Sequence, residues 1–103
     1  EGRVSVHPTA RLVNAVVRGP AIIGAHARVT DAYVGPFTTV GDGATIENSE
    51  IESSIVLPRA RIRHVGVRVE ASVIGAGATV GRDFALPKAM RLRIGANATV
   101  TLA

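Results

Sequence analysis

Five branched apolar residues, Val6, Ile23, Val40, Val56 and Ile74, recur at spacings of 17, 17, 16 and 18 residues. Each is followed four places later by alanine, at Ala10, Ala27, Ala44, Ala60 and Ala78. The intervening segments are His7 to Arg11, Gly24 to Arg28, Gly41 to Thr45, Leu57 to Arg61 and Gly75 to Thr79. A sixth copy, Ile94 to Thr99, follows an irregular stretch. A helical reading would need a 3.6-residue rhythm, and the apolar positions show none. What remains is a coil in which each turn of chain repeats the one before it.

Each period subdivides. Six residues beyond the first set stand Leu12, Val29, Ile46, Ile62 and Val80, and five further on Val17, Val34 and Ile51. One turn therefore holds three short apolar-led units of six, six and five residues. Each unit reads as a short strand and a bend, with its branched residue pointing inward. Successive turns then stack by parallel strand pairing about 4.8 Å apart, so that like positions lie over one another. Six turns would make a three-sided prism roughly 29 Å long. An interior this narrow admits only small residues at its corners, which accounts for the alanine column and for Ala15, Ala32 and Ser49. Gly24, Gly41 and Gly75 are expected at corners for the same reason and for their access to positive φ. One turn cannot bury its own apolar side, so several must stack and the ends must be covered.

Composition agrees. Val and Ile supply 15 and 8 residues against 5 Leu, and aromatics only 3% of the 103. Branched side chains are stiff at χ1 and favour strands. The fold class expected is all-β: a parallel β-helix of about six triangular coils. Residues 1–103 form a single domain, with regular coils over 1–81 and an irregular segment and cap over 82–103. Pro87 prevents an uninterrupted ladder in that last segment. The third side is hard to register between His64 and Glu70, where Val67 and Val69 both fit.

With no Cys, disulfide frameworks and thiolate zinc sites are excluded. No apolar run approaches the roughly 20 residues that span a bilayer, and no signal-peptide pattern opens the chain, so no membrane partner is expected. The chain opens on Glu1 rather than Met, as a processed or excised segment would. The net charge of +4 is unevenly placed, with eight basic residues against two acidic ones after residue 56. Few aromatics are present to stack bases, so a solvated polar face is favoured over nucleic acid as the meaning of this basic half.

The candidate site residues are surface groups. Arg11, Arg28 and Arg61 share the position five after the leader, together with Thr45 and Thr79. Arg11 and Arg28 would be direct neighbours, where like charges repel unless they splay into water or meet a carboxylate or anion. Arg59, Arg61 and Arg63 alternate and would project to one side of an extended strand, as a solvated face or a phosphate-binding edge. Glu47 and Arg63 should form an ion pair between adjacent turns, worth about 0.2–1 kcal/mol if exposed. Tyr33 and Phe37 flank the third side as candidate subunit or domain contacts. His7, His26 and His64 lie one, three and two places after their leaders, so they do not converge for metal binding or base catalysis. No catalytic, cofactor-binding or metal-ligating set emerges.

The units IGAHAR, VGPFTT, VGDGAT, VLPRAR, IGAGAT and IGANAT resemble the hexapeptide-repeat family. That resemblance alone implies a left-handed coil and a homo-oligomer, with a trimer favoured, since parallel crossovers are otherwise right-handed in about 98% of cases. The longer order of VNAVVRGPAIIG, DAYVGPFTTVGDGATIENSEIESSIVLPRARI, RVEASVIG and PKAMRLRIGANATV is similar to the C-terminal domain of long-form glucose-1-phosphate thymidylyltransferases. Ala96 and Ala98 depart from it, standing where that family commonly has Asp and Ser. The resemblance implies a cytoplasmic structural and oligomerising domain, whose partner is an N-terminal nucleotidyltransferase domain absent from this chain. The Gly-rich nucleotide loop and the acidic residues for Mg²⁺ would belong to that domain, so no cofactor is expected here. The glycines of this sequence are spread at repeat spacing and no helix follows them. Two other readings stand beside it: a freestanding hexapeptide acyltransferase or carbonic-anhydrase-like trimer, and an excised or idealised scaffold.

Overall fold

A computed structural model describes residues 2–65, 68–82, 93–97 and 99–102. Its strands follow the three-unit rhythm turn by turn. β1 (Val4–Val6), β2 (Arg11–Val13) and β3 (Val16–Val17) make the first turn. β4 (Ala21–Ile23), β5 (Arg28–Thr30) and β6 (Tyr33–Val34) make the second, and β7 (Thr38–Val40), β8 (Thr45–Glu47) and β9 (Glu50–Glu52) the third. β10 (Ile55–Val56), β11 (Arg61–Arg63) and β12 (Arg68–Glu70) complete the fourth. β13 (Val73–Ile74), β14 (Thr79–Arg82), β15 (Arg93–Ile94) and β16 (Thr99–Leu102) extend the stack.

Through β14 every third strand pairs in parallel, and β15 and β16 then pair with β13 and β14, giving three sheets. The first side runs β1-β4-β7-β10-β13-β15, the second β2-β5-β8-β11-β14-β16, and the third β3-β6-β9-β12. Among the described residues, four turns are complete on all three sides. The architecture is an all-β, three-sided parallel solenoid, consistent with a left-handed β-helix. The register is the one the sequence implies, with Ile23 beside Val40 and Ile46 beside both Val29 and Ile62. The cap expected after residue 81 falls mainly on 83–92, outside the described residues.

The core is a set of files along the axis. Ile23, Val40, Val56 and Ile74 form one, Val29, Ile46, Ile62 and Val80 another, and Val34, Ile51 and Val69 the third, all essentially without solvent contact. Val69, not Val67, therefore continues the third file, and β12 pairs it with Ile51. Ala27, Ala44, Ala60 and Ala78 are fully buried at the first corner. Their carbonyls accept the N–H of the preceding turn, from Arg11, Arg28, Thr45 and Arg61, at 2.8–2.9 Å. At the third corner Thr38, Ser54 and Ser72 are stacked and buried. The hydroxyls of Ser54 and Ser72 donate to the carbonyls of Glu52 and Glu70 at 2.9 and 2.8 Å, and Ser54 Oγ accepts the Ser72 N–H at 3.1 Å. Buried polar groups are tolerated because they are bonded along this file. Ser49 does the same at the second corner, accepting the Val65 N–H.

The corners turn through left-handed backbone, but not at the glycines expected. Gly24 and Gly41 do not have positive φ; the residue two places later does, at His26, Gly43, Arg59, Gly77 and Asn97. Its N–H swings backward to the preceding turn: Gly43 N to Ala25 O is 2.8 Å and Arg59 N to Asp42 O 2.9 Å. At the second corner Asn14, Asp31, Asn48 and His64 have positive φ, and the N–H of the last three bonds back to Val13, Thr30 and Glu47; Phe37, Ser53 and Ala71 hold the same conformation at the third corner. Asn, Asp and His are among the side chains that enter this region most readily. Gly41 is needed for room instead. A Cβ there would lie 2.7 Å from Pro58 N and 2.8 Å from Leu57 C of the next turn. Gly41→Ala should therefore cost about 1–3 kcal/mol by forcing two turns apart, read as a lower urea midpoint. An unchanged midpoint would refute this close approach.

Candidate functional site

The outer faces carry all the candidate groups, and each side has its own chemistry. On the second side the first outward file is Arg11, Arg28, Thr45, Arg61 and Thr79. Arg11 and Arg28 are adjacent as expected, whereas Thr45 separates Arg28 from Arg61. All three arginines are exposed. Among the described residues no carboxylate forms an ion pair with any of them. The second outward file brings Glu47 beside Arg63, and their side chains meet at 3.1 Å. Arg59 does not join Arg61 and Arg63 on one strand face. It occupies the corner with φ 65°, outside β11, so the three-arginine edge is reduced to two, one of them neutralised.

The third side holds a charge cluster that sequence spacing did not expose. Its outward file is Val16, Tyr33, Glu50 and Arg68. Arg68 reaches Glu50 at 3.3 Å and Glu52 at 3.2 Å, and its guanidinium carbon lies 5.8 Å from the Tyr33 ring centre. Glu52, and then the hydrogen bond to Glu50, raise the Arg68 pKa above its ordinary value. Tyr33 is thus already engaged by Arg68, and only half exposed. Phe37 is elsewhere: it sits at the corner between the third and first sides and is 72% exposed. The structure does not bring the two aromatics together. The fourth turn is longer than the others between Ile62 and Val69, which shifts Arg68 out of simple repeat arithmetic.

The histidines stay apart. His7 and His26 lie at the first corner of successive turns and His64 at the second corner of the fourth. His7 Nδ1 is 2.8 Å from Thr9 Oγ1, which in turn accepts the His26 N–H at 2.9 Å. At the second corner Asn14 Nδ2 donates to Asp31 Oδ1 at 2.7 Å, and Asn48 Nδ2 lies 3.2 Å from His64 Nδ1. These are polar ladders along the axis, with a shallow crevice of about 510 Å³ beside them. Among the described residues no group of three His, Asp or Glu is placed to hold a metal ion, and no helix is long and apolar enough to cross a membrane.

The first turn differs from the rest. Val6 and Leu12 occupy the inward files, yet they are 38% and 40% exposed where their counterparts in the next four turns are buried. A wider apolar crevice of about 710 Å³, lined by Val4, Val16, Val17, Pro20, Pro36 and Phe37 among others, opens at this end. It lacks titratable groups other than Arg18, so it offers apolar contact rather than acid–base chemistry.

No family model matches the chain. It is 43% identical over 101 residues to a glucose-1-phosphate thymidylyltransferase of Streptomyces antibioticus, covering 98% of this chain and 28% of that protein. A glucose-1-phosphate thymidylyltransferase of Streptomyces griseus is 47% identical over 94 residues, 91% of this chain and 26% of its own length. A low-salt glycan biosynthesis nucleotidyltransferase of Haloferax volcanii is 41% identical over 71 residues, 68% of this chain and 20% of that protein. Among solved structures, a GDP-perosamine N-acetyltransferase of Caulobacter crescentus superposes with a TM-score of 0.46 at 17% identity, over 95% of this chain and 50% of that one. The chain thus spans little more than a quarter of the two thymidylyltransferases, and it is homologous to the C-terminal part of the glucose-1-phosphate thymidylyltransferases.

Proposed function

We propose that this chain is the non-catalytic C-terminal domain of a cytoplasmic sugar-1-phosphate nucleotidylyltransferase that joins dTTP to glucose 1-phosphate. Its role is structural: it assembles copies of the enzyme, with a trimer favoured, and docks against the domain that performs the transfer. The observation that carries this reading is the identity of 43–47% over nearly the whole chain to enzymes several times its length.

The geometry supports the division of labour. Nucleotidyl transfer needs phosphates cradled by backbone N–H groups, commonly on a Gly-rich loop opening a helix, and a metal ion bridging them. Here Gly41 and Gly43 serve a solenoid corner, Gly41 by leaving room for the next turn and Gly43 by taking positive φ. Nucleotide and Mg²⁺ would be held by the other domain.

Supplied with dTTP, glucose 1-phosphate and Mg²⁺, the purified chain should release no pyrophosphate, while the enzyme it is cut from should release it steadily. Turnover by the chain alone would overturn the non-catalytic assignment. An inactive full-length enzyme with these substrates would overturn the substrate assignment.

A further inference from the structure

We infer that the second side carries an anion site: a notch at Thr45, with Arg28 on one side and Arg61 on the other, that takes a phosphate group, free or as a phosphate monoester. The site stands apart from the assembly role proposed above. Pairing of β5, β8 and β11 puts Arg28, Thr45 and Arg61 in one outward file on three successive turns. The two arginines are therefore about 9.6 Å apart along the axis, two steps of the roughly 4.8 Å strand spacing. Both are exposed, whereas the short Thr45 between them is half-buried and forms the floor of the gap.

The gap matches the ligand. A charge-assisted hydrogen bond from an arginine runs about 2.7–2.9 Å, so one on each side leaves room between the arginines for an oxyanion. A tetrahedral phosphate presents oxygens in several directions and meets both guanidinium groups and the Thr45 hydroxyl together. A planar carboxylate instead turns both of its oxygens to a single guanidinium fork. Arg11 and Arg28 leave no such gap, because they stand on adjacent turns.

A third cation flanks the notch. Arg59 belongs to the first corner of the fourth turn, but its stem leans over the third: a Cβ at Gly43 would lie 3.5 Å from Arg59 Cγ. Gly43 is two residues before Thr45, so Arg59 adds positive charge beside the gap. The nearby carboxylates are engaged elsewhere. Glu47 shares the outer face of β8 with Thr45 and is paired with Arg63 at 3.1 Å. Asp42 accepts the Ala25 N–H at 2.9 Å and so is turned toward the second turn. Among the described residues neither forms an ion pair with Arg28, Arg59 or Arg61. Cations gathered in this way repel one another, and a dianion set between them relieves that repulsion. Water screens the exposed groups, so the expected affinity is millimolar.

Amide chemical shifts of the isotopically labelled chain test this, with sodium phosphate and, separately, glucose 1-phosphate exchanged for sodium chloride at constant ionic strength. Each should move the Arg28, Thr45 and Arg61 amides along a saturating curve. Equal affinities would assign the site to the phosphate group itself, and a tighter glucose 1-phosphate would assign it to the ester. Arg28→Gln and Arg61→Gln should each weaken binding about tenfold or more, the loss expected for a hydrogen bond to a charged group, with the rest of the spectrum intact. Arg11→Gln removes the same charge outside the notch and should leave the affinity nearly unchanged. Absence of a saturable shift with either phosphate would overturn the site. So would equal losses in Arg11→Gln and Arg61→Gln, which a diffuse basic surface would give.

Discussion

Ile46→Ala should lower the unfolding free energy by about 2–5 kcal/mol, among the largest effects of any single truncation in this chain. Ile46 has no solvent contact and lies in the middle of its file, with Val29 on one side and Ile62 on the other. A solenoid has no separate hydrophobic centre that could relax into the space. Each turn touches only its neighbours, so a cavity at the third turn weakens the two interfaces that hold the ends together. For a chain of this size the loss corresponds to a fall in Tm on the order of 10 °C or more. Thermal melts of wild type and variant at equal protein concentration would measure it, since association also moves Tm. A shift of only a degree or two would mean that Ile46 does not sit between two packed turns.

Ala44→Leu acts from the opposite direction. Ala44 is fully buried at the first corner, between Ala27 and Ala60 of the adjoining turns, and its carbonyl accepts the Arg28 N–H at 2.9 Å. Three added carbons have nowhere to go without opening the corner and lengthening that bond. Overpacking of this kind typically costs about 1–3 kcal/mol, and more where backbone rather than side chain must yield. The neighbouring change Thr45→Val is the control, because Thr45 points outward and substitutions at such positions usually stay within about 0.5 kcal/mol. The expected urea midpoints are therefore lower for Ala44→Leu and nearly unchanged for Thr45→Val. Equal midpoints would show that the corner has spare volume, and the explanation of the alanine column would fall with it.

How much of this was legible in the sequence follows from which features repeat. The leader residues and the alanines recur because every turn meets the same packing demand, so their spacing announces the stack, its register and the Glu47–Arg63 pair before any coordinates exist. Features confined to one turn, or held by backbone direction, were not visible in that way. The glycines drew the left-handed backbone to the wrong position, since Gly41 is required by the closeness of Pro58, while residues with side chains such as His26 and Arg59 take the positive φ. Ser54 and Ser72 register in a sequence only as small residues. That the Ser54 hydroxyl bridges turns depends on where the Ser72 N–H of the next turn arrives.

The same distinction governs the surfaces. Adjacent placement of Arg11 and Arg28 follows from the period alone, whereas the meeting of Arg68 with Glu50, Glu52 and Tyr33 needed the longer fourth turn to be built. Nor did the separation of Tyr33 from Phe37 or the openness of the first turn appear in any single period. Sequence by itself determined that this chain winds as a stacked parallel coil, because periodic burial leaves a periodic trace. Only the tertiary structure decided which outward residues share a face, because that depends on where each turn bends, and the corners differ in length from one turn to the next.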